Sequence, residues 1–202
     1  MQRAVLVLFL AAASIAAAPS DLWQTLMKGN ADFVHGKLLY QHLDQQRDAT
    51  AEHQHPPVTV LSCADSRVPP ELMFDQSVGD LFVIRVAGNV SDPFNLASIE
   101  YAVANGWTKM IVVIGHENCG AVKAALSSDP APSPSLEALI LKIRENLGGK
   151  KPPLKEAVEM NARATAHELV AKSEIVRKAV ADKKVQIVTA YYSFDGKVQR
   201  LD

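Results

Sequence analysis

Two short segments of the chain gather side chains able to do chemistry together. Cys63-Ala64-Asp65-Ser66-Arg67 carries a thiol, a carboxylate and a guanidinium on alternate residues, and His116-Glu117-Asn118-Cys119 carries an imidazole and a second thiol three residues on. Cys63, His116 and Cys119 together form a donor set that zinc accepts tetrahedrally. Three protein ligands leave a fourth position open, which is the pattern of catalytic rather than structural zinc. Asp65 leaves the same turn as Cys63. It either accepts a hydrogen bond from water at the fourth position or occupies that position itself and shuts the site. Arg67 can hold a carboxylate through a bidentate pair and so decides between the two. Gly120 follows Cys119 where a helix starts, and its N–H can approach a substrate oxygen with no Cβ in the way. Plainer readings stand beside these. Two cysteines in an exported chain also form disulfides, and Asp65 with Arg67 alone also makes an ordinary ion pair.

The elements around these segments must bring them to one place. Val58–Ser62, Leu81–Val86, Met110–Gly115 and Val185–Ala190 are short apolar runs rich in β-branched residues, as strands covered on both faces require. Helical patterns fall between them. One runs over Asp92–Asn105, with Asp92 as N-cap and Pro93 in the first turn. Others run over Leu136–Leu147 and Leu154–Asp182. Near the start, Asp21 is a candidate N-cap for a helix carrying Leu22, Trp23, Leu26 and Met27, and residues 40–52 form a polar helix with few core anchors. The alternation predicts an α/β fold: a mostly parallel four-stranded sheet with helices on both faces. Val198–Leu201, after the Asp195-Gly196 turn, adds an antiparallel edge strand. Both chemistry-bearing segments then lie at carboxyl ends of strands, where such sheets place their ligands. The Pro/Ser stretch 127–135 is a loop between helices.

The chain has 202 residues and a formal net charge of −1, with only two cysteines. That length suits one domain. The charge offers no basic excess for phosphate backbones, so a nucleic-acid partner is not expected. Two cysteines cannot build a disulfide scaffold or a four-cysteine zinc site. Residues 1–18 read as a secretory signal peptide: Met-Gln-Arg, an apolar run too short to span a bilayer, then small residues, with cleavage after Ala16 or Ala18. The expectation is therefore a signal peptide over 1–18 and one catalytic domain over 19–202. The mature chain is periplasmic or secreted, with no stable membrane anchor after cleavage.

Cys63-Ala-Asp-Ser-Arg-Val-Pro-Pro-Glu71 and Val112-Val-Ile-Gly-His-Glu-Asn-Cys-Gly-Ala-Val122 resemble the two signature segments of the β-class carbonic anhydrases. The likeness runs from about Asp21 to Leu201, and the paired segments at this separation are highly specific. Leu81–Asn89 is similar to a further family strand, but Val86 stands where an Asn is usual after the arginine. Ser98–Val103 resembles a family helix. By position, the resemblance implies one Zn2+ per chain on Cys63, His116 and Cys119, and Asp65 with Arg67 as the catalytic pair. Gln54, Phe82, Tyr101 and Gly120 match the positions that surround substrate in members with a permanently open site. Members regulated by a non-catalytic bicarbonate carry a tryptophan three residues before the first cysteine. Val60 stands there, which favours the open form.

The activity so implied is the reversible hydration of carbon dioxide to bicarbonate and a proton. The assembly implied is a homodimer or a dimer of dimers, with N-terminal helices embracing the partner and pockets drawing on both protomers. The weakly anchored stretch 40–52 fits that arrangement. His53 and His55 flank Gln54 as loop histidines or as a route for the proton; a second metal there is the less favoured reading. Three rival functions are a carbon disulfide or carbonyl sulfide hydrolase on the same scaffold, an exported zinc-storage protein, and a disulfide-bonded binding domain. Two thiolates leave a zinc site near neutral, so its water is less acidic than under three neutral histidines. Hydration activity should therefore rise toward mildly alkaline pH; a pH–rate profile flat from acid to neutral pH would contradict this.

Overall fold

Alternate residues of the central strands point to opposite sides of one sheet, and this divides the core. The computed structural model describes residues 19–38 and 43–202, so the signal peptide read over 1–18 lies outside the described residues. In β1 (Val58–Ser62) and β3 (Met110–His116), Val58, Val60, Met110, Val112 and Ile114 pack on one face. They meet Leu22 and Leu26 of α1 (Pro19–Val34) and Met73 of α3 (Pro70–Met73). Leu61, Ile111 and Val113 pack on the other face. Their partners are Ile99 of α4 (Pro93–Ala104), Leu169 of α7 (Leu154–Lys172) and Val176 of α8 (Glu174–Ala181). Covering both faces is what makes the strands read as continuous apolar runs.

The sheet order is β2-β1-β3-β4-β5, with β2 at Leu81–Arg85, β4 at Gln186–Tyr192 and β5 at Val198–Arg200. β1 to β4 run parallel, and β5 returns antiparallel along β4. The expected fold class therefore holds. The remaining helices are α2 (Leu43–Thr50), α5 (Gly120–Leu126) and α6 (Pro134–Asn146). No helix among the described residues is long and apolar enough to cross a membrane.

Several local expectations change. β2 is only half-buried along its length, because it is an edge strand paired on one side. The stretch read as one helix over 154–182 is two, α7 and α8. Ser173 breaks it with extended backbone, caps α8 by accepting from the Val176 N–H, and donates to Glu100. α1 already includes Pro19, which puts Asp21 inside the helix rather than at its cap. α6 begins at Pro134, capped by Ser133, so the Pro/Ser loop ends earlier than expected. The cap at Asp92 is as expected, with Asn95 reciprocating in a capping box. The polar helix near residues 40–52 is α2, and no residue of it is buried; residues 40–42 lie outside the described residues.

One buried amide ties three distant segments together. Asn30 of α1 donates to the carbonyls of Met73 (3.0 Å) and Gly196 (2.7 Å) and accepts from the Val198 N–H (3.0 Å). Gly196 is left-handed at φ 89 in the β4–β5 turn, and a Cβ there would press on Val34 of α1. Asn30→Ala leaves three backbone groups without partners and should cost about 2–4 kcal/mol. A urea midpoint that does not fall, at fixed protein concentration, would contradict this role.

Candidate metal centre and catalytic site

The centre forms because β1 and β3 are neighbours and both end at the same edge of the sheet. Cys63 is the residue after β1, His116 is the last of β3, and Cys119 caps α5. Between the last two, Asn118 takes a left-handed conformation at φ 58, a turn asparagine tolerates better than most residues. That turn brings His116 and Cys119 together. The two sulfurs and a ring nitrogen lie within 4.8 Å of one another, and all three residues are buried. The cysteines are free thiols, not a disulfide.

The donor chemistry fits a dication. The His116 Nδ1–H donates to the Glu117 carbonyl at 2.8 Å, a bond that leaves Nε2 as the lone-pair nitrogen. Nε2 is buried and has no hydrogen-bond partner. The sulfurs compete for one charge. A side-chain hydrogen bond from Cys119 is the main cause lowering the Cys63 thiol, opposed by burial and helped by His116 and the Gly88 N–H. The same bond, with burial, pushes the Cys119 thiol up. Two adjacent buried thiolates need a cation between them, and a metal ion of the zinc type would supply it.

Asp65 stands beside this group rather than in it. Its carboxylate takes both arms of Arg67, Nε to Oδ1 at 2.9 Å and Nη2 to Oδ2 at 2.7 Å, and Oδ1 also accepts the Arg67 backbone N–H. Arg67 therefore holds the Asp65 carboxyl well below the usual carboxylate range, so the pair persists as pH falls through mild acid. Asp65 Oδ2 remains 4.0 Å from His116 Nε2. Arg85 fixes the loop from below, donating Nε to the Cys63 carbonyl (3.0 Å) and Nη2 to the Asp65 carbonyl (2.5 Å). Gly120 is exposed, and a Cβ built on it would meet nothing within 4 Å, so the surface beside it is open.

The other matched residues gather elsewhere. Phe82 and Tyr101 have ring centroids 6.5 Å apart, and Tyr101 packs edge-on against Trp107 at 5.3 Å. Gln54, Tyr101 and Trp107 line one hollow with His53 and His55, and His55 meets Trp107 edge-on at 6.2 Å. Phe82 pairs in register with Thr59, four residues before Cys63 and so about 13 Å down the strand. Within one chain, therefore, Gln54, Phe82 and Tyr101 form a patch separate from the three ligands. Val60 is fully buried in the core. Arg85, Glu117 and Phe194 take part here although the sequence alone does not single them out. An arginine ending an apolar strand was the one available signal; the other two act through contacts between distant segments.

Fold and site define an α/β enzyme built around one Cys-His-Cys metal-binding centre. The carbonic anhydrase family model matches residues 58–198. The chain is 38% identical to a carbonic anhydrase of Mycolicibacterium smegmatis over 190 residues, covering 90% of this chain and 92% of that one. It is 36% identical to carbonic anhydrase 2 of Mycobacterium tuberculosis, covering 88% and 89%. Among solved structures, a Coccomyxa β-carbonic anhydrase in complex with acetazolamide aligns with a TM-score of 0.70 at 28% identity, covering 92% of this chain and 87% of that one. A tetrameric β-carbonic anhydrase from Sordaria macrospora shares the fold, with a TM-score of 0.67 at 24% identity and coverage of 90% and 97%. The chain belongs to the β-class carbonic anhydrases. It is a lyase for the reversible hydration of carbon dioxide.

If Cys63, His116 and Cys119 hold the metal together, losing one sulfur opens the set. Elemental analysis should find one zinc per chain in the wild type and clearly less in Cys63→Ser. Equal zinc in both would remove Cys63 from the centre.

Proposed function

We propose that the chain is a zinc-dependent carbonic anhydrase, exported through residues 1–18, whose open catalytic pocket is completed by a second copy of the chain. The observation that carries this reading is the division of the matched residues. The metal group sits at the carboxyl ends of β1 and β3, while Gln54, Phe82 and Tyr101 stand together beside the edge strand β2. A second copy that lays this patch over its partner's metal group unites the two halves. The exposed Tyr101 (54%) and the unburied α2 fit such a covering.

Zinc, when bound, supplies a water acidified enough to act as a nucleophile near neutral pH. The chain's own residues do the rest. Cys63 and Cys119 balance the charge, and His116 offers Nε2. Asp65, kept ionised by Arg67, accepts a hydrogen bond from the attacking water and turns its lone pair toward the carbon. Because Asp65 is occupied by Arg67, it would stay off a metal held by Cys63, His116 and Cys119. The Gly120 N–H and the Gln54 amide steady the substrate oxygens, and Phe82 with Tyr101 wall the pocket with apolar surface. Bicarbonate leaves, and the proton passes to buffer. Intact Asp65 and Arg67 favour catalysis over zinc storage, which needs neither.

Sharing is testable by complementation. Asp65→Asn and the double variant Gln54→Ala/Tyr101→Ala should each lose about 100-fold or more in kcat/KM. Refolded together, they should regain activity, because a mixed dimer contains one complete pocket. A mixture no more active than its parts, or a fully active monomer by light scattering, would contradict the shared pocket.

A further inference from the structure

The ring of Phe194, in the turn after β4, touches two members of the centre at once. The Arg67 guanidinium carbon stands 4.2 Å from its centroid. The His116 ring is 6.0 Å away, and Tyr192 packs edge-on from a third side at 6.2 Å. Arg67 needs such a contact. Its side chain is 53% exposed, and an exposed long cation on a carboxylate is held weakly, because screening and side-chain entropy offset most of the attraction. An aromatic face adds a second attraction and removes competing rotamers.

The turn presenting the ring is itself fixed. The Phe194 N–H donates to Glu117 Oε2 at 2.7 Å, and the Glu117 N–H donates to the Tyr192 carbonyl at 2.7 Å. Asn30 holds the same turn from α1 through the Gly196 carbonyl. Glu117 thus ties the β4–β5 turn to the segment between two metal ligands. Phe194 is 36% exposed, so filling the core is not its main work.

We propose that Phe194 is a positioning residue whose ring clamps the Arg67 guanidinium onto Asp65 and so keeps Asp65 off the metal. The competing state is close, since Asp65 Oδ2 lies 4.0 Å from His116 Nε2. A carboxylate released by Arg67 has only a short way to move. The inference rests on the zinc reading above, and it adds a residue from a different segment to the control of the open site.

Azide titration of the cobalt-substituted enzyme, followed by visible absorption, reads whether the fourth position is free. Phe194→Leu should bind azide measurably more weakly, because losing an exposed cation–π contact raises the ratio of Asp65-bound to open sites about two- to fivefold. Its kcat/KM should fall in step, with metal content unchanged. Phe194→Tyr, which keeps a ring face, should restore both. Wild-type azide binding and hydration in Phe194→Leu would overturn the proposal, and so would a Phe194→Tyr variant as impaired as Phe194→Leu. Should Phe194→Leu not fold, NMR of the wild type decides. The Arg67 Nε–H should be shifted upfield by the ring and protected from exchange; a solvent-like signal overturns the clamp. That signal is read with or without metal. A wild type that hydrates carbon dioxide without bound zinc would overturn the zinc reading instead.

Discussion

Two buried sulfurs set within a few ångströms of each other cannot both carry charge unless a cation stands between them. That electrostatic constraint organises the centre. Cys63 and Cys119 are held close by segments that leave adjacent parallel strands, and the His116 Nε2 lone pair is aimed at the same point by the Nδ1–H bond to Glu117. The sheet exists, functionally, to bring these three donors together and to keep them dry. Its two faces are buried by helices on either side, so the donors sit at the end of a rigid platform rather than on mobile loops.

Around that fixed group, the freedom left to the protein is concentrated in Asp65. Its carboxylate oxygen lies 4.0 Å from His116 Nε2, close enough to compete for a metal held there, and its pairing with Arg67 draws it away. Arg85 fixes the loop backbone beneath it, and the β4–β5 turn reaches the guanidinium from the far side. Two segments distant in sequence therefore brace the loop and the arginine that hold this carboxylate. A site that must hold a metal tightly and still leave one position for water needs this kind of restraint outside the ligand set.

Much of this was legible in the sequence because it is local. Strands buried on both faces announce themselves as apolar runs, and the donors fall immediately after two of them. The cap at Asp92 is written in Asp-Pro. What was not legible depends on contacts between distant residues. Ser173 interrupts a continuous helical pattern because it caps α8 and bonds Glu100, and neither partner shows in the local periodicity. β2 reads as a covered strand but lies at the sheet edge, since run composition does not report strand order. Glu117 bonds a residue 77 positions away, and Phe194 meets Arg67 across a still longer stretch of chain. The separation of Gln54, Phe82 and Tyr101 from the ligands was visible only once the register placed Phe82 opposite Thr59.

In the proposed centre, Cys63, His116 and Cys119 hold the metal while Arg67 keeps Asp65 away from it. A crystal structure of the zinc-loaded protein at neutral pH tests it most directly. The expected result is zinc on two sulfurs and one imidazole nitrogen, a fourth position taken by water, and Asp65 paired with Arg67. Asp65 bound to zinc as the fourth ligand, with Arg67 turned away, would contradict it.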